Sequence, residues 1–140
     1  MPQTHVEIRT IAGSSLAVGS SGAHTVTIDR SKQSGGLGLG FNGGELLLLA
    51  IGGCYSNDIF REAAKRNITV KNVQVTVNAD WAGNPVRAQN VSFSVLVEAD
   101  ASEKEILDLI RHTDHVAEIP DSLRFGTEVR LAGTKAIVSG

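Results

Sequence analysis

The run Leu46-Leu47-Leu48-Leu49-Ala50-Ile51 constrains this chain more than any other feature. At about 100° per residue, six successive apolar positions cover the whole circumference of a helix. Such a helix start is expected to be buried on every side. The apolar stretch, traced on to Cys54, falls far short of the ~20 residues of a membrane span, so protein must do the burying. Further along, Arg61, Glu62, Lys65 and Arg66 make the segment amphipathic, and the cations suit the negative end of a helix. A helix over about Gly44 to Asn67 is therefore predicted. Burying one leucine is worth about 1.5–3 kcal/mol, and a monomer of this size has little to cover all sides, so a homodimer held by this helix is expected.

The second strong signal is a hairpin. Val73, Val75, Val77, Ala79 and Trp81 alternate with Gln74, Thr76, Asn78 and Asp80. Period two means a strand with one buried face. After the turn Ala82-Gly83-Asn84-Pro85, the alternation resumes with Val91, Phe93, Val95, Val97 and Ala99, so the pair is antiparallel. Val6-Ile8, Leu16-Val18 and Val26-Ile28 read as three shorter strands, and Glu128 to Leu131 suggests one more. A second helix begins at Ser102, where Glu105 completes a capping box. Its apolar residues from Ile106 to Ala117 fall within about 160° of arc, and Pro120 is expected to end it. Strands, long helix, hairpin, helix and strand make an α+β arrangement, read as a single domain over residues 1–140.

Charge and composition remove several function classes. Thirteen Lys+Arg against 15 Asp+Glu leave a net charge of −2 without a run of one sign, which argues against a nucleic-acid or membrane-surface partner. Met1–Thr10 lacks the basic and apolar regions of a secretory signal. The single cysteine, Cys54, permits no disulfide within the chain. A cytoplasmic protein is expected.

Chemistry-bearing residues are few. His112 and His115 lie three apart on the second helix, but the wheel sets both with Lys104, Asp108 and Arg111 on a solvated face. No cysteine pair or third histidine completes a zinc set, and His5 and His24 are uninformative alone. The glycine-rich stretch from Ser34 to Gly40 lacks the Lys-Ser/Thr of a phosphate loop. It reads as a loop needing special dihedrals. No cofactor and no metal are expected. Cys54 stands out because Gly52-Gly53 thin the helix beside it. The wheel puts Leu47, Ala50, Asp58, Arg61 and Lys65 on its face, where the two cations would lower a thiol pKa if they came close.

The run from Asn42 to Cys54, Asn-Gly-Gly-Glu-Leu-Leu-Leu-Leu-Ala-Ile-Gly-Gly-Cys, resembles the signature of the OsmC/Ohr family of thiol-dependent organic hydroperoxide reductases. The strand from Gly22 to Asp29, the glycine loop, the helix end at Ala63–Ile68 and the hairpin follow in family order. Ala117–Leu123 resembles the family's second cysteine motif. The resemblance implies an OsmC-like fold: antiparallel strands around a long central helix, with a second helix, intertwined as a homodimer with two sites at the interface. It also implies a peroxidatic thiolate that becomes a sulfenic acid, a second cysteine that resolves it, and a glutamate and an arginine that activate the thiolate.

This chain departs from that pattern. Ile119 stands at the second cysteine, Gly44 at the active glutamate and Gly43 at the motif proline. Glu45, nine residues before Cys54, would point about 180° away from it on a regular helix, and it suits the helix N-terminus. Arg30 is the nearest candidate for the arginine. Three readings stay open. In the first, Cys54 is oxidised by a small organic hydroperoxide and reduced by an external thiol. In the second, a non-catalytic dimer binds a small apolar ligand. The third is a purely structural or partner-binding dimer.

Overall fold

The computed structural model describes residues 2–140. Two compact units divide the chain, Met1–Gly53 with Val75–Ser94 and Cys54–Gln74 with Val95–Gly140. The α+β content and antiparallel sheets agree with the sequence reading.

In the first unit, β1 (Glu7–Thr10), β2 (Ala17–Ser21) and β3 (His24–Ile28) form an antiparallel sheet in that order. Ile8 opposes Gly19 and Val18 opposes Thr27. Beyond β3 the chain makes one 3-10 turn at Lys32–Ser34, and Phe41 returns beside Ile28. Gly36 and Gly40 are needed here by close approach, because a Cβ on either would collide with the backbone of Arg30 or Thr27. Buried Asp29 holds this loop from inside, accepting hydrogen bonds from Ser15 Oγ and from the amides of Arg30, Leu37 and Leu39.

Helix α1 spans Gly43–Lys65. Its first turn is closed reciprocally: the Glu45 amide donates to Asn42 Oδ1 at 2.8 Å, and the Asn42 amide donates to Glu45 Oε1 at 3.0 Å. Asn67, with φ +56°, ends it in the left-handed conformation while the Ile68 amide bonds back to Ala63 O. The expectation of all-round burial at the helix start is not met within the chain. Ile51 is buried, but Leu46, Leu47 and Leu48 are only partly covered and Leu49 is 52% exposed.

Strands β4 (Thr69–Ala82) and β5 (Arg87–Asp100) form the hairpin, each longer than the alternation alone predicts. Val73, Val75, Val77 and Ala79 are half-buried between exposed neighbours, as are Phe93, Val95, Val97 and Ala99. Helix α2 (Glu103–Val116) starts with the expected capping box at Ser102 and Glu105. Pro120 does not end it. The helix stops at Val116, Ala117 turns extended, and α3 (Glu118–Arg124) begins, with Pro120 in its first turn. A proline fits there because first-turn amides have no partner within the helix.

Tyr55, Ile59 and Ala63 recur every fourth residue of α1 and form the core of the second unit with Ile68, Leu109, Thr113 and Ala117. Tyr55 Oη donates to Ile110 O at 2.7 Å, tying α1 to α2. The strand expected at Glu128–Leu131 is absent, because residues 125–140 take up no regular structure. Val129 is 94% exposed, so the apolar positions that suggested a strand have no sheet to join within the chain.

Candidate functional site

Cys54 lies on α1 at the start of the second unit, with its side chain half-buried. Its Sγ donates to Asp58 Oδ2 at 3.6 Å, one helical turn on. The backbone amides of Ile119 and Glu118, at the start of α3, also hydrogen-bond to the sulfur. Burial pushes the thiol pKa up, and the charge and hydrogen bond of Asp58 add to that rise. The two amides work against it and do not overcome it. The resting group is therefore a protonated thiol.

The cations expected to activate the sulfur are engaged elsewhere. Arg61 Nη1 lies 3.2 Å from Asp58 Oδ1 and 2.6 Å from Glu118 Oε1, while Nε donates to Glu62 Oε2 at 2.9 Å. Lys65 Nζ donates to the same Glu62 oxygen at 3.0 Å, and His112 Nε2 meets Glu62 Oε1 at 2.8 Å. Hydrogen bonds from Arg61, Lys65 and His112 outweigh burial and pull the Glu62 carboxyl down to about 2. His112 thus does not belong to a purely solvated face. It sits at the edge of the α2 apolar stripe, where a buried carboxylate on α1 reaches it, whereas His115 is exposed as the wheel predicts.

Cys54 Sγ and one carboxylate oxygen each of Asp58 and Glu118 lie within 4.8 Å of one another. Softness and number both fall short of a usual metal set, and Arg61 already bridges the two carboxylates, so the cluster is an ion-paired thiol site.

Glu45 and Arg30 belong to the first unit. Glu45 is occupied by the N-terminal cap of α1. Arg30 is an exposed residue whose backbone amide donates to Asp29 Oδ1, so its loop position is set by Asp29. Within the second unit, the partners of the Cys54 thiol are Asp58 and the two amides. The sequence reading missed Asp58 as a thiol partner. The signal was present in its i,i+4 spacing from Cys54, but attention to cations passed over the nearer anion.

The first unit also holds an apolar cavity of about 350 Å³ beside the β1–β3 sheet, with Ile8, His24, Val26, Ile28 and Leu46 in its wall. Among the described residues no helix is long and apolar enough to cross a membrane.

Residues 35–132 match the family model described as OsmC-like protein. No curated protein matches the sequence. Among solved structures, the OsmC-like protein from Mycoplasma pneumoniae superposes with a TM-score of 0.77 at 18% identity, covering 90% of this chain and 89% of that one. The organic hydroperoxide resistance protein OsmC from Legionella pneumophila gives 0.61 at 16% identity, covering 89% of this chain and 90% of that one. The organic hydroperoxide resistance protein OhrB of Bacillus subtilis gives 0.61 at 15% identity, covering 89% of this chain and 92% of that one. At these identities the superpositions show a shared fold.

Proposed function

The chain belongs to the OsmC-like protein family, and from that membership we propose that it is a one-cysteine organic hydroperoxide reductase of the oxidative-stress response. Cys54 is the sulfur that attacks. The observation that carries this reading is the pair of backbone amides, from Ile119 and Glu118, directed at a half-buried thiol. Fixed donors at a sulfur favour the thiolate form that it takes on in losing its proton to attack a peroxide. The sulfur takes the terminal peroxide oxygen and becomes a sulfenic acid, and the alcohol leaves. Two equivalents of an external thiol then return Cys54 to the thiol and release water and a disulfide. Such a reductant is the kind a cytoplasmic compartment supplies. Turnover is slow, because burial and Asp58 favour the neutral thiol, which must lose its proton in order to attack.

The working form is a homodimer. Support comes from the partly covered leucines of α1 and from a tail in which Phe125, Val129, Leu131, Ile137 and Val138 are each at least 84% exposed. A second reading, a dimer that binds a small apolar ligand without turnover, is favoured by the cavity beside the β1–β3 sheet.

Intact-mass measurement after cumene hydroperoxide, with and without dithiothreitol, separates the two. A single added oxygen, removed by thiol and absent from Cys54→Ser, is the expected result. An unchanged mass after prolonged exposure would leave only the binding reading.

A further inference from the structure

We propose that Asp58 is the acid–base partner of Cys54, taking the thiol proton as the sulfur attacks and returning it to the departing alkoxide. This rests on the hydroperoxide reading above and assigns the proton path within that site.

The geometry is specific. Asp58 Oδ2 is the oxygen that accepts the Sγ–H hydrogen bond, while Oδ1 is held by Arg61. The Asp58 side chain is only 9% exposed, so water competes little for the proton. Arg61 is itself fixed from two further directions, by Glu62 on α1 and Glu118 on α3. It therefore orients Asp58 and leaves one oxygen aimed at the sulfur. Lys65 and His112 are further titratable groups around this cluster, and both pair with Glu62. The resting thiol is neutral, so any attack near pH 7 must lose its proton on the way. Glu118 also has an oxygen within 4.8 Å of the sulfur, but Asp58 is the carboxylate that accepts the Sγ–H hydrogen bond.

The step balances. A sulfur–oxygen bond forms to the terminal peroxide oxygen, which keeps its hydrogen, and the oxygen–oxygen bond breaks. Sulfur is oxidised by two electrons and the peroxide is reduced to an alcohol. The proton passes from Sγ to Asp58 Oδ2 and then to the alkoxide oxygen.

Two rates measured on the full-length protein test the assignment. Alkylation by iodoacetamide needs the thiolate, so between about pH 6 and about pH 8 its rate should climb about tenfold per pH unit. Oxidation by cumene hydroperoxide, followed by intact mass, should stay nearly flat over the same range, because the base accepts the proton within the step. Asp58→Asn keeps the shape and removes a negative charge beside the sulfur. It should alkylate faster than wild type yet oxidise about tenfold more slowly or worse near pH 7. Parallel pH slopes in wild type, or faster oxidation in Asp58→Asn, would overturn the role of Asp58 while leaving Cys54 a hydroperoxide target. A wild-type thiol inert to cumene hydroperoxide would overturn the hydroperoxide reading and this role with it. If Asp58→Asn does not fold, the wild-type profiles decide alone.

Discussion

The indole of Trp81 lies against α1 at Gly44, so that a Cβ built on the glycine would stand 2.7 Å from Cζ2 and 3.1 Å from Cη2. The position ten residues before Cys54 thus has no room for a side chain while the ring stays in place. In a helix interior, Gly→Ala stabilises by about 0.5–1 kcal/mol, an upper bound for Gly44 in the first turn of α1. Here that gain is offset by displacing the ring. Gly44→Ala should be no more stable than wild type in urea, and the emission of the single tryptophan should shift. In a Trp81→Ala background the same change should recover at most about 0.5–1 kcal/mol. Equal gains in both backgrounds would mean that the ring moves aside without cost.

Glu45 closes the first turn of α1 with Asn42. Glu45→Gln should lower stability by about 0.3–1 kcal/mol through the lost charge at the helix N-terminus. The alkylation rate of Cys54 should stay at the wild-type value. A large change in thiol reactivity with unchanged stability would assign Glu45 to the chemistry instead.

Asp29 makes the glycine loop sensitive to acid. Burial raises its pKa, but hydrogen bonds from the Leu39 amide, Ser15 Oγ and the Arg30 and Leu37 amides bring the net value below the ordinary 3.8. A depressed folded value means the contribution is present above pH 3.8 and lost as pH falls through the folded value. Asp29→Asn should melt at a lower temperature near neutral pH, since its amide turns a donor toward the Leu37 and Leu39 amides. The gap from wild type should close as the solution is acidified. A gap independent of pH would show that the carboxylate charge plays no part.

Ile119 stands where the resemblance puts a resolving cysteine, and hydrogen bonding from its backbone amide lowers the Cys54 thiol pKa. Ile119→Cys should therefore trap the Cys54 sulfenic acid as an intramolecular disulfide, seen as the loss of two hydrogens in intact mass. In wild type, with no second thiol, excess hydroperoxide should instead carry Cys54 on to sulfinic acid, which dithiothreitol does not reverse. An oxidised Ile119→Cys that keeps a free thiol would place the two side chains beyond bonding reach.

The tail offers a direct test of the dimer. Light scattering at micromolar concentration should give about twice the 14.8 kDa chain mass. A chain ending at Gly126 loses Val129, Leu131, Ile137 and Val138, each at least 84% exposed in the single chain. It should dimerise more weakly or become monomeric. A monomeric wild type would remove the homodimer.

Local physics made much of the fold legible in the residues themselves. Period-two alternation from Val73 to Ala99 marked the hairpin, because strand faces repeat every second residue whatever packs on them. Ser102 and Glu105 marked the start of α2, because a capping box closes within one turn. The family motif from Asn42 to Cys54 likewise travels with the sequence, and the family match follows it.

Tertiary structure decided what depends on partners distant in sequence. Ala117 and not Pro120 breaks the second helix, since a proline is tolerated wherever a new first turn begins. The helical wheel put Asp58 and Arg61 on the face of Cys54, but angles alone do not rank them. Glu118, sixty-four residues after Cys54, joins Asp58 in holding Arg61, so two carboxylates come within 4.8 Å of the sulfur and Asp58 takes its hydrogen bond. A wheel records direction along one helix, while a thiol pKa responds to every charge within a few ångströms, whichever segment supplies it.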